Sequence, residues 1–582
     1  MPSDRPVYPS TPPRTATHRA VRPFPVLTLI VLLANCRQPN RFADLVFTGG
    51  SVLTMDSAGP RAEAVAIKDG EIAFVGSDPD AERWIGSQTV VVPLEGRTLL
   101  PGFQDAHVHP ISSGLDLAGC NLSGISSRDS ALARIRQCAD SLPQGAWLVG
   151  SNWELPLFPG GNPHRELLDS LTPGRPAWLS ASDGHSGWAN TEALRLANVS
   201  RTTADPVNGR IERDRTGVPS GTLREEAMGL VSQILPRPGD ADYLAAARRA
   251  VSIMNAAGIT AAQEASANRK LLEIYRKLDE ENGLTVRMVV AMRADPAEGL
   301  AQVDSFVEWR RQLASPRVHP TAVKIFEDGV IEARTAAMLA PYLDRPGQAG
   351  EPNWPAERLD SLVARLVQAD FSVHVHAIGD RAVRLALDAL EKAEQGKPRG
   401  NRRHQIAHLE VIDSTDIPRF AALNVIANFQ ALWAYPDSYI RDLTWPALGL
   451  ERNRWIYPIG SVVRAGGSLA LGSDWNVSSV VPLEAIQTAV TRRGIADTAG
   501  EALLPEQAID LMTALRAYTL GSARALGLDD ETGTITVGKQ ADLVVLGGNV
   551  EQAAPAEIAR LPVVLTLVQG TVVHGRLEDL AR

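Results

Sequence analysis

Between residues 99 and 522, short apolar runs rich in β-branched residues alternate with amphipathic stretches of helical period. The runs at 101–109, 258–264, 286–293, 322–328, 371–378, 403–409, 424–430 and 469–475 read as eight strands. Segments such as 243–256 and 359–368 gather their apolar positions on one face at a spacing of about 3.6 and read as helices. Strands that alternate with helices form a parallel sheet, because parallel neighbours need a crossover, and eight of them predict a closed (β/α)8 TIM barrel in an α/β fold. A βα unit averages about 30 residues, and the interval after the first strand is roughly a hundred residues longer. An inserted subdomain at about 111–240 is therefore expected, covering the mouth of the barrel.

The chain ends have another texture. Segments 42–98 and 523–582 alternate apolar and polar positions with period two and are punctuated by turn signals, Asp69-Gly70 among them. Together they predict one small β-sandwich built from both termini, flanking a barrel at 99–522. Residues 1–36 differ again: Arg14, Arg19 and Arg22 precede an apolar run at 26–34 that is too short to span a bilayer. This is the pattern of an export signal, and Cys36 stands where a bacterial lipoprotein signal would carry lipid, although Asn35 departs from the small residue expected before it. The expectation is a bacterial envelope protein, periplasmic or lipid-anchored through Cys36, or a cytoplasmic one if the start of the chain is placed too early.

Composition narrows the chemistry. A hydrophobic content of 44%, a mean hydropathy of −0.08 and a net charge of −9 without basic runs describe a soluble globular protein and argue against a nucleic-acid partner. Three cysteines cannot build a disulfide framework, no CxxC pair offers a thiolate metal site, and Cys120 and Cys138 are expected to be inert buried thiols. Metal chemistry here must rest on the 11 histidines and on carboxylates.

Such a set lies at the predicted strand ends, where barrel enzymes place their chemistry. His107 and His109 project from one face of the first strand by its period of two. Lys324, His376, His408 and Asp474 follow at spacings that suit strands four, five, six and eight. A free lysine is an ammonium with no lone pair to give, so the alternative for Lys324 is a barrel lysine paired with Glu327 or Asp328. His374 shares a face with His376 and reads as a packed or supporting residue, and His404 sits at a strand entrance. From the insertion, His185, Trp188 and Glu225 are candidate substrate contacts, against a structural role inside the insert. The tryptophans Trp147, Trp153, Trp178 and Trp188 read as insert core rather than as a substrate platform.

These residues occur in stretches that resemble the metal-dependent amidohydrolase superfamily, in the type 3 branch of enzymes like N-substituted formamide deformylase. The stretches are His185-Ser186-Gly187-Trp188-Ala189-Asn190, Gly221-Thr222-Leu223-Arg224-Glu225, Val323-Lys324-Ile325-Phe326, His376-Ala377-Ile378-Gly379-Asp380-Arg381-Ala382 and the closing Gly538-Lys539-Gln540-Ala541-Asp542-Leu543-Val544-Val545. The resemblance spans roughly residues 43 to 582. It implies zinc or a similar divalent metal, as two ions bridged by a carboxylated Lys324, with His107 and His109 on one ion and His376 and His408 on the other. It implies that Asp474 binds the first ion and carries a proton from water to the leaving nitrogen. The implied reaction is hydrolysis of a carbon–nitrogen bond in a small-molecule amide, N-formyl or N-acyl, by an enzyme that is commonly a homodimer. The alternatives are a deaminase or cyclic-amide hydrolase on the same scaffold, and a catalytically silent envelope protein that binds a ligand or metal.

Overall fold

The computed structural model describes residues 42–396 and 402–580. The expected leader and Cys36 lie outside the described residues. Eight parallel strands form the central sheet in chain order: β1 (Phe103–Val108), β2 (Ile259–Ala267), β3 (Arg287–Arg293), β4 (Val318–Phe326), β5 (Ser372–Ala377), β6 (Gln405–His408), β7 (Ile426–Phe429) and β8 (Leu469–Leu471). All eight expected runs are strands in the expected order. They read as nearly unbroken apolar runs because helices cover their outer side while side chains fill the interior, so both faces are buried. Helices Asp240–Ala256 and Ala356–Gln368 are two of these covers.

The sheet is nearly closed into a TIM-like barrel. Beyond β8 the chain continues alongside β1: Asp474 N donates to His107 O at 2.7 Å, and His109 N donates to Trp475 O at 2.9 Å. Gly472 permits this approach, since a Cβ there would lie 2.6 Å from His107 N. Strands β6 and β8 end earlier than their apolar runs do. His408, Leu409 and Asp474 take φ of 77°, 55° and 52°, which ends the extended backbone.

Between β1 and β2 a six-stranded sheet is inserted, ordered Gly209–Arg213, Pro219–Glu225, Ser186–Ala189, Ala177–Ala181, Leu148–Trp153, Cys120–Asn121. One cluster, with Trp153, Trp188 and Phe158 at its centre, packs one side of this sheet. Here the cysteines depart from expectation: Cys120 and Cys138 form a disulfide that ties the strand Cys120–Asn121 to the helix Arg128–Ser141 across 18 residues. Two paired cysteines suffice for a local clasp, although they are too few for a framework. Replacing both by alanine is expected to lower the insert's stability by about 3 kcal/mol, the loop-closure value for a span of this length. Limited proteolysis of the insert with and without reductant checks this; equal cleavage rates would mean the thiols stay reduced.

The chain ends build a four-stranded sheet (Glu71–Gly76, Ala64–Lys68, Leu45–Thr48, Val90–Pro93) and a six-stranded sheet (Thr571–Gly575, Val563–Val568, Leu543–Leu546, Thr98–Pro101, Ser51–Leu53, Arg61–Ala62). Both contribute to one apolar cluster that includes Phe47, Ile67, Leu99, Leu543 and Leu565. Asp69 and Gly70 turn the Ala64–Lys68 and Glu71–Gly76 hairpin with φ of 51° and 83°, both in the left-handed region. Asp542 receives the buried Arg287 guanidinium at 2.9 Å, linking the closing motif to the start of β3.

Candidate metal centre

At the C-terminal ends of the barrel strands, three groups converge. His107 Nε2 and His109 Nε2 lie 3.5 and 3.2 Å from Asp474 Oδ1, and ligand atoms of these three residues fall within 4.8 Å of one another. Lys324 Nζ is 3.3 Å from His107 Nε2, fully buried, and makes no ion pair among the described residues. The His107 and His376 rings stand 4.7 and 4.4 Å from that of His408, and Asp474 Oδ2 is 3.8 Å from His408 Nδ1. All six residues expected to ligate metal therefore share one pocket. Barrel register explains part of this: Lys324 pairs with His374, Phe326 with His376, and Ala377 with His408.

The donor set fits a divalent cation. Asp474 Oδ1 and His408 Nδ1 are buried without a hydrogen bond of good geometry, which is costly unless something else satisfies them. His107 and His109 each spend Nδ1 on a neighbour and leave Nε2 facing Asp474. His107 Nδ1 meets His374 Nε2 at 2.9 Å, and His109 Nδ1 meets Glu264 Oε1 at 3.3 Å. Tyr275 Oη donates to the other oxygen of Glu264 at 2.8 Å. Partners of this kind orient imidazole ligands. Burial, then Lys324 and neighbouring histidines, hold His107 well below the usual histidine range, and burial leads the same shift in His374, His376 and His408. These rings are neutral, as ligands must be. Burial opposes a proton on His109, yet Asp474 and Glu264 raise it to about 9, a proton that a bound cation would displace.

Strain collects at the same place. His408, Asp474 and Glu225 are non-glycine residues at φ of 77°, 52° and 50°. Backbone in this region persists where the surroundings over-determine it, and it clusters at functional sites.

Above the centre is a cavity of about 950 Å³ walled by the insert on one side and barrel loops on the other. Of the insert candidates, His185 and Glu225 line it and Trp188 does not. His185 Nδ1 is 2.7 Å from Glu225 Oε2, its ring is 5.1 Å from that of His376, and Thr335 Oγ1 donates to Glu225 Oε1 at 2.6 Å. Trp188 is corrected to a core residue: it is fully buried, packed 5.2 Å from Phe158, and donates Nε1–H to His164 O at 3.3 Å. Strand alternation turned its ring away from the cavity. The pairing of Lys324 with Glu327 or Asp328 is not seen. Asp328 accepts backbone N–H groups of Ala337, Ile378 and Gly379 at 2.8, 3.0 and 2.9 Å, and the Glu327 carboxylate is buried without a hydrogen-bond partner among the described residues. His404 lies at the far end of β6 and meets Glu394 at 3.0 Å, away from the centre.

Residues 90–574 match the model of the amidohydrolase family. The chain belongs to the amidohydrolase family. Among relatives, it is 31% identical to protein LONG AFTER FAR-RED 3 of Arabidopsis thaliana, over 87% of this chain and 88% of that one. It is 28% identical to N-substituted formamide deformylase of Arthrobacter pascens, over 92% of this chain and 98% of that one. In fold it is similar to a metal-dependent hydrolase from Pyrococcus furiosus, with a TM-score of 0.66 and 24% identity, over 88% and 99% of the two chains.

As an amidohydrolase, the chain is a metal-dependent hydrolase of carbon–nitrogen bonds other than peptide bonds. Its centre joins a buried carboxylate with four imidazoles, of which His107, His376 and His408 are held neutral, and one amine. Burial lowers the Lys324 ammonium to about 7, so an unprotonated amine is available near neutral pH. Glu264 and Tyr275 escaped the sequence reading, whereas His374 takes the supporting place expected of it, against His107. In Glu264 a single acidic residue in the alanine-rich run Thr260-Ala261-Ala262-Gln263-Glu264-Ala265 was the one available signal, since a carboxylate inside an apolar strand must find a partner.

Proposed function

We propose that this protein hydrolyses a small amide, N-formyl or N-acyl, with His107, His109 and Asp474 holding one zinc-like ion and His376 and His408 a second. The observation that carries the reading is the convergence of these groups with Lys324 at the floor of one cavity. Lys324 would join the two sites as a carbamate, formed when its neutral amine adds to carbon dioxide and releases a proton; its lowered basicity and its lack of an ion pair among the described residues support this. Bound divalent metal supplies polarisation of the amide carbonyl and a water that is nucleophilic near neutral pH. Asp474 takes the proton of the attacking water and delivers it to the leaving nitrogen, so that amide and water become carboxylic acid and amine. Its position between the two groups of histidines supports the role. His185, which Glu225 raises to about 9 against burial, presents a cation to the cavity and orients the substrate from the insert side. The relative from Arthrobacter pascens, named for N-substituted formamides, directs the choice of amide.

Export belongs to the same proposal. The Cys120–Cys138 disulfide supports it, because such bonds persist in oxidising compartments. The two terminal sheets with their shared core are read as a small sandwich that braces the barrel through Asp542 and Arg287.

Elemental mass spectrometry of the purified chain, paired with intact mass, tests the centre. The expected result is two zinc-like ions per chain and the added mass of one carbon dioxide. One ion without added mass would move the reading to a mononuclear centre, and no metal after reconstitution would overturn it. Formate or carboxylate release from N-substituted amides tests the reaction.

A further inference from the structure

Part of the cavity lining is short of positive charge. Glu154, Asp183, Glu332, Glu410 and Asp437 all line it, and none of them makes an ion pair among the described residues. The basic groups that line the cavity are engaged elsewhere or belong to the centre: His185 is bound to Glu225, Arg293 reaches Glu226 at 3.4 Å, and Lys324 sits against His107. Arg334, next to Glu332, is tied to Asp344 at 2.6 Å.

The deficit is sharpest between Glu332 and Glu410. Both approach a single donor, the hydroxyl of Thr444, at 3.4 and 3.2 Å from Oε1. One hydroxyl proton cannot satisfy two carboxylates at once. Glu410 is only 2% exposed, lines the cavity, and its second oxygen has no partner among the described residues. A separate observation points to a ligand at the same place. Tyr457 is 4% exposed, lines the cavity beside these carboxylates, and its hydroxyl has no hydrogen-bond partner among the described residues. It is held there at φ 43°, a backbone state unfavourable for so large a side chain. Tyr435 and Tyr439 line the same cavity and offer ring faces of the kind that attract cations.

Among the described residues the wall carboxylates form no cluster of metal-ligand spacing. Carboxylates spread around aromatic rings suit a larger, softer cation with several N–H donors. We propose that the cavity takes an amide bearing an alkylammonium group, whose N–H donors satisfy Glu332, Glu410 and Tyr457 while its acyl end reaches the metal centre. The inference rests on the reading of this cavity as an amide-hydrolysing site and adds the class of its substrate.

The test uses the metal-loaded full-length chain and sulfonamides, which occupy an amide site without being cleaved. N-(4-aminobutyl)methanesulfonamide is compared by calorimetry with its neutral isostere N-pentylmethanesulfonamide at low salt. The charged ligand is expected to bind at least about tenfold tighter, by an advantage that shrinks with added salt. That advantage should fall to about threefold or less in Glu410→Gln and in Glu332→Gln; Tyr457→Phe should lose a smaller part. Equal binding of the two ligands, no binding of either, or an advantage that survives both glutamine variants overturns the proposal. If one variant does not fold, the other and the salt dependence still decide. Turnover is read separately with the corresponding acetamides: a charged amide bound tightly but left uncleaved would keep the subsite and sink the hydrolase reading.

Discussion

Asp474→Asn is expected to keep its metal and lose turnover of a small amide by about 10²–10⁴-fold, the range in which positioned acid–base groups act. Asparagine is the informative replacement. It keeps the shape of the side chain, tolerates the φ of 52° that position 474 requires, and leaves the backbone bond from residue 474 to His107 O in place. What it loses is the ability to hold a proton and pass it on. Metal content by elemental mass spectrometry and kcat on the same preparation separate the two functions of the residue. A near-wild-type rate would sink the proton-carrier role, whereas loss of metal together with rate would recast Asp474 as a ligand alone.

Lys324→Ala is expected to lose metal, activity or both, and to regain part of each when a short carboxylic acid such as acetate or propionate is added. The side chain is fully buried beside His107, so its removal opens room in the same pocket for a small carboxylate to stand where the carbamate would. Compared in the metal-free state, the thermal midpoints of the variant and the parent should be close, because the variant gives up a buried amine that makes no ion pair among the described residues. Rescue that depends on the length of the acid, with no rescue by chloride, would mark a bridge. An unaffected variant would mean that no bridge exists and would leave the imidazoles and Asp474 to hold the metal alone.

The two variants probe groups that were visible in the chain for a physical reason. Barrel strands are apolar on both faces, so a histidine, lysine or aspartate at the end of such a run stands out against its surroundings. His107 and His109 added the period of two, and their spacing from Lys324, His376, His408 and Asp474 followed the repeat of the barrel. The wall carboxylates had no such background. Glu332, Glu410 and Asp437 lie outside the barrel strands, in segments with no strand period to show which way a side chain will face. Trp188 shows the opposite failure: it sits in a stretch that resembles its relatives closely, yet the pleat of its strand sends the ring into the insert core and leaves His185, three residues earlier, in the cavity.

Local pattern along this chain was enough for the order of eight parallel strands, the insertion after the first, and the six groups of the centre. Each of these depends on periodicity or on polarity within an apolar run, which are properties of neighbours in sequence. Tertiary structure alone decided the clasp of Cys120 to Cys138, the hold of Glu264 and Tyr275 on His109, and that of His374 on His107. It also decided the meeting of Glu332, Glu410 and Tyr457 over one cavity. These depend on where separate loops and neighbouring strands arrive in space, which is set by barrel register and closure and by the packing of the insert, and no local spacing encodes it.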